Sequence, residues 1–152
     1  MNVSVRHLTA DLYGCKADKV TDKDAISQTI CEKIVAYGHK ILNTAVEEIS
    51  ENHCAVTVIF DEGHAILEIY GGLRYIAADI FLCREDAQPE PIFNEVRNFL
   101  KPEKTRITVL KRGDFKQGQD MKPKTKTRMA PLRKIHNTGA KVIRSLARRK
   151  ET

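Results

Sequence analysis

With 152 residues, 41% of them hydrophobic and 30% charged, the chain has the length and composition of one ordinary soluble domain rather than two. No stretch approaches the roughly eighteen uncharged apolar residues of a membrane-spanning helix, which excludes an integral membrane protein of that type. The formal net charge of +6 is unevenly placed: residues 1–113 carry 14 Lys+Arg against 17 Asp+Glu, a net −3, and residues 114–152 carry 12 against 3, a net +9.

Taken in chain order, Val3 to Tyr13 alternates in the manner of a β-strand, and Asp18 to Asp24 reads as a polar connection. Ala25, Ile26, Ile30, Ile34 and Val35 recur at helical spacing until Gly38. Four β-rich runs follow, Ile41–Ile49, Cys54–Phe60, Ala65–Tyr70 and Tyr75–Leu82. They are separated by the turn signals Ser50-Glu51-Asn52, Asp61-Glu62-Gly63 and Gly71-Gly72. Ile92, Val96, Phe99 and Leu100 mark a second helix ended by Pro102, and Arg106–Leu110 a last strand. The order βαββββαβ has too few helices to cover both sheet faces. It predicts an α+β fold, a two-layer α/β sandwich with a largely antiparallel sheet. The division falls at residues 1–113 for this body and 114–152 for a basic tail. Within the tail, Asp114 to Ala130 reads as a linker and Pro131 onward as a basic amphipathic helix. Its cations include Lys122, Lys124, Lys126, Arg128, Arg133, Lys134, Lys141, Arg144, Arg148 and Arg149, a set suited to nucleic acid or another anionic partner. A helix docked on its own domain with solvated cations is the other reading.

Few chemical signatures stand out. The chain has no phosphate loop, dinucleotide Gly motif, nucleophile elbow or CxxC zinc spacing. His7, His39, His53, His64 and His136 share no metal-ligand spacing, so no metal is expected. The N-terminus lacks the pattern of a secretion signal, and four cysteines without close pairing suit reduced thiols; both predict a cytoplasmic protein. Asp61-Glu62-Gly63-His64 reads first as a hairpin turn, and Cys83 as a small residue closing a strand, with a thiol acid as its functional alternative.

Two segments change that balance. His7-Leu8-Thr9-Ala10-Asp11-Leu12-Tyr13-Gly14-Cys15, and Glu62-Gly63-His64 through Tyr75-Ile76-Ala77-Ala78-Asp79-Ile80-Phe81-Leu82-Cys83, together resemble the prokaryotic-type S-adenosylmethionine decarboxylases. The resemblance runs to Lys111-Arg112-Gly113, where the charge changes sign. It implies a two-layer α/β sandwich, usually a homodimer, with a pocket to which Tyr13, His64 and Tyr70 belong. It also implies a self-made cofactor. A serine in a Glu-Ser-His motif attacks the preceding carbonyl, the resulting ester eliminates, and a pyruvoyl group remains to form a Schiff base with the substrate amine. Here Glu62 precedes Gly63 at the serine position, and glycine has no Cβ to carry the oxygen, so neither cleavage nor a pyruvoyl cofactor is expected. Other positions depart as well. The family's processing histidine corresponds to Glu68, its assisting serine to Ala55 and its adenine-stacking aromatic to Ile49. The family's Trp-Pro-Glu turn reads Tyr70-Gly71-Gly72, while Cys83 matches the family's proton donor.

These departures imply a non-catalytic regulatory or ligand-binding paralogue linked to polyamine metabolism, as a homodimer or paired with an active paralogue. Its ligand would be S-adenosylmethionine or a polyamine. Two other readings stand beside it. One is a binding protein acting on nucleic acid through the tail. The other is a redirected enzyme in which Glu62, His64, Glu68 and Cys83 form an acid/base cluster in the former pocket.

Overall fold

The computed structural model describes residues 3–116 and Asp120; the basic tail beyond these, with its expected linker, helix and cations, lies outside the described residues. Six strands, β1 (Ser4–Tyr13), β2 (Ile41–Ser50), β3 (His53–Phe60), β4 (Gly63–Tyr70), β5 (Tyr75–Arg84) and β6 (Lys104–Arg112), form one sheet in the order β2-β3-β4-β5-β1-β6. Every pairing is antiparallel. Helices α1 (Ala17–Val20), α2 (Lys23–Ala36) and α3 (Glu90–Leu100) supply the second layer. The expected α+β sandwich is what the chain forms.

Alternation along the strands explains why there are two layers. Leu8, Ala10 and Leu12 of β1, Val56, Val58 and Phe60 of β3, Ala65, Leu67 and Ile69 of β4, and Ile76, Ala78, Ile80 and Leu82 of β5 are all buried. The period of two puts them on one face, and the register aligns Leu8 with Ile80, Ala10 with Ala78 and Leu12 with Ile76. The helices meet that face with Ile26, Ile30 and Ile34 of α2 and Ile92, Phe93, Val96 and Leu100 of α3, spaced at three or four residues with Phe93 beside Ile92. The residues between them on each strand form a second, helix-free face.

The segment expected to be a plain polar connection is partly helical. It contains the end of α1, and the Asp22 side chain caps α2 by accepting from the Ala25 amide at 3.0 Å. Several predicted strands fall short of the observed ends by one or two residues; at β4 the reason is that Gly63 pairs with Phe60 and Leu82 and so opens the strand rather than completing a turn. At the Gly71–Leu73 turn, Arg74 adopts a left-handed backbone with φ 51°. Its guanidinium donates to the carbonyls of Cys15 at 2.7 Å and Gly14 at 3.0 Å and to Glu103 at 3.1 Å. These charge-assisted bonds tie the ends of β1 and β5 to the start of β6 and offset the backbone strain.

Candidate functional site

The helix-free face carries every polar residue that the sequence marks in β4 and β5. Cross-strand register sorts these residues into two groups at opposite ends of the sheet. At the β4 start, His64 stacks on Phe81 with centroids 5.1 Å apart and planes 3° from parallel. His7 meets the same ring edge-on at 6.2 Å, and the Arg112 guanidinium lies 5.7 Å from its centroid. His7 Nε2 reaches Asp79 Oδ1 at 3.2 Å. Cys83 belongs to this end, its amide donating to the Glu62 carbonyl at 2.8 Å.

At the other end, four rings from four neighbouring strands form a row. His53 stacks on Tyr70 at 4.3 Å, Tyr70 lies 5.8 Å from Tyr75, and Tyr75 lies 5.3 Å from Tyr13. Lys104 Nζ closes the row 5.9 Å from the Tyr13 ring. Glu68 pairs with His53, Oε2 to Nε2, at 2.5 Å. Tyr75 donates to Asp11 at 2.5 Å, and that bond, helped by burial, holds its phenol well above the usual range. The native state thus keeps this proton more tightly than the unfolded chain. The associated stability is intact below the unfolded phenol value of about 10 and is lost as pH rises through the higher native one. In an alkaline titration followed by ultraviolet absorbance, Tyr75 should ionise above the ordinary phenol range. Asp11→Asn should lower it toward the ordinary value; an unchanged titration would disprove the pairing.

Among the glycines of the described residues, Gly63 has the tightest surroundings. A Cβ built on it would sit 1.9 Å from the Phe81 carbonyl oxygen and 3.2 Å from the Leu82 Cα, so β4 and β5 close on each other through the absence of that atom. Ala55 and Glu68 are cross-strand partners.

Of the residues that the sequence singles out, Tyr13 and Tyr70 come together through Tyr75, while His64 stands at the opposite end with Glu62, Gly63 and Cys83. The expected cluster of Glu62, His64, Glu68 and Cys83 does not assemble within one chain. Glu68 is opposite Ala77, and Cys83 is six residues further along β5, about 20 Å away at about 3.3 Å per residue. The sequence reading placed them in one pocket because the resemblance does, without the register that separates them. None of the four lies in either of two cavities that border the sheet. The first, about 450 Å³, sits where α1 and α2 meet the β2–β3 hairpin and includes Thr21, Lys23, Glu48, Asn52 and His53. The second, about 190 Å³, is a depression on the helix-free face over Asp11, Asp79 and Arg106. The roles of His53 and Asp11 escaped sequence reading because each depends on a cross-strand neighbour.

Comparison with known proteins follows the same body. The family profile described as S-adenosylmethionine decarboxylase matches residues 6–113. The S-adenosylmethionine decarboxylase proenzyme of Methanococcus maripaludis is 28% identical over 114 residues, covering 75% of this chain and 93% of that protein. The proenzyme of Caldicellulosiruptor saccharolyticus is 28% identical over 117 residues, covering 77% and 94%. Among solved structures, the adenosylmethionine decarboxylase of Aquifex aeolicus superposes with a TM-score of 0.68 at 16% identity, over 80% of this chain and all of that one.

Proposed function

We propose, from the premise that the chain belongs to the S-adenosylmethionine decarboxylase family, that it is a member which does not process itself and acts as a non-catalytic regulatory or ligand-binding paralogue in polyamine metabolism. Gly63 carries this reading. The family's chemistry starts from an oxygen on a Cβ, and this position has neither the oxygen nor, with Phe81 O 1.9 Å from where a Cβ would be, the space for it. Glu68 adds support, since it is paired with His53 where the family has a processing histidine. Intact mass spectrometry of the purified full chain tests this directly. One species near 17.2 kDa is expected; two fragments split between Glu62 and Gly63 would overturn it.

A homodimer formed through the helix-free faces belongs to the same proposal. A two-fold axis lying between the two faces, parallel to the sheets and perpendicular to the strands, would lay the Glu68 end of one copy over the Cys83 end of its partner. This would reunite two residues that one chain holds about 20 Å apart. Ile59, at 43% exposed, and Leu110, at 47%, supply apolar surface on that face. Light scattering on the uncut chain should give twice the monomer mass, and a monomer at micromolar concentration would rule this arrangement out.

A further inference from the structure

Folding brings His39, Asp61 and Glu62 together at the tip of the β3–β4 hairpin, although no sequence spacing connects them. His39 ends the connection from α2 to β2, where its amide donates to the Ile34 carbonyl at 3.2 Å and its ring leans on Phe60 at 5.0 Å. The Asp61 amide donates to the Lys40 carbonyl at 3.0 Å, holding the hairpin tip against this connection. The His39 side chain is only 2% exposed, and its Nδ1 points at two carboxylates, 3.0 Å from Glu62 Oε2 and 3.6 Å from Asp61 Oδ1.

The Glu62 oxygen is near enough for a hydrogen bond, yet Nδ1 has no hydrogen-bond partner. A buried, unpartnered nitrogen facing two carboxylates is costly as it stands. The two distances are close to the edges of a metal coordination polyhedron, and the three ligand atoms lie within 4.8 Å of one another. With ligand bonds of about 2.1 Å, adjacent ligand atoms lie about 3.0 Å apart in an octahedron and about 3.4 Å apart in a tetrahedron. Charge points the same way. Asp86 borders the cavity of about 230 Å³ beside His39, and its carboxyl is held below the usual range chiefly by the bond that Arg84 donates to it at 2.6 Å. Arg84 also lies 3.3 Å from Glu62 Oε2, where it can orient that carboxylate from the outer shell. Three carboxylates against one guanidinium leave two negative charges around the His39 ring.

We propose that His39 Nδ1, Asp61 and Glu62 form a binding site for a divalent transition-metal cation of the zinc or cobalt class, one imidazole and two carboxylates leaving further positions for water. The ion would bridge the α2–β2 connection to the residue immediately before Gly63. It would thus brace the backbone at which the family's chain cleavage takes place. This assignment does not rest on the function proposed above, since it needs only the three side chains.

Cobalt(II) is the probe, because its visible spectrum distinguishes nitrogen and oxygen ligands from thiolates. Titration into the metal-free full chain, read by absorbance and calorimetry, should give one ion per chain without a thiolate charge-transfer band. The thermal midpoint should rise with cobalt concentration. The Asp61→Asn/Glu62→Gln variant alters only side chains at the hairpin surface and should weaken binding by at least about tenfold. His39→Gln should do the same, and because His39 is buried, the surface variant decides the matter if this one fails to fold. Absence of binding at millimolar cobalt, wild-type affinity in the surface variant, or a thiolate band would each overturn the site.

Discussion

Gly63→Ser should remain a single uncut chain and should be less stable than the parent by about 1–3 kcal/mol. The new Cβ would meet the Phe81 carbonyl at 1.9 Å, and backbone in a paired strand cannot swing aside like a flexible side chain. The β4–β5 pairing at Gly63 and Leu82 must therefore open, taking His64 off Phe81. Gly63→Ala should cost about the same, since the conflict lies with Cβ and not with the hydroxyl. Urea unfolding of both variants, with intact mass of the serine variant, checks the two halves of the expectation. Cleavage at Glu62 would show that Glu68 and Ala55 still permit processing. Wild-type stability would show that the strands are not closed on each other as described.

Phe93→Ala should cost about 3–5 kcal/mol, the largest effect expected of any single substitution here. Phe93 is 1% exposed on α3 and is the largest fully buried side chain among the described residues, so its removal leaves a cavity between the helix layer and the sheet. Against a total stability of about 5–15 kcal/mol, that loss brings the chain near its unfolding threshold. The denaturant midpoint should fall with an unchanged slope. Phe115→Ala, at a ring 80% exposed, should shift it by less than about 0.5 kcal/mol and serves as the control. A small effect at Phe93 would mean that the helices are not packed on the sheet as described.

Read from the strands inward, the fold was largely legible. Leu8-Ala10-Leu12 and Ile76-Ala78-Ile80-Leu82 alternate because each strand has one buried face, and that period is local to the chain. The α1 turn was missed because four residues with one buried side chain carry no helical period. In the sequence Gly63 reads as the end of a turn because glycine is common there, whereas only its two strand partners show that it is already inside the sheet.

The site divides along the same line. Composition and motif were enough to locate the uneven charge and the decarboxylase-like body, since each is a property of residues at known positions in the chain. Tertiary structure alone decided which of those residues meet. It parted Glu68 from Cys83, aligned His53, Tyr70, Tyr75 and Tyr13 from four strands, and carried His39 to a hairpin more than twenty residues away. The physical reason is that cross-strand register and loop packing are set by the whole buried face at once. A shift of one residue would turn every side chain of a strand to the other side, and no short segment of sequence specifies that choice.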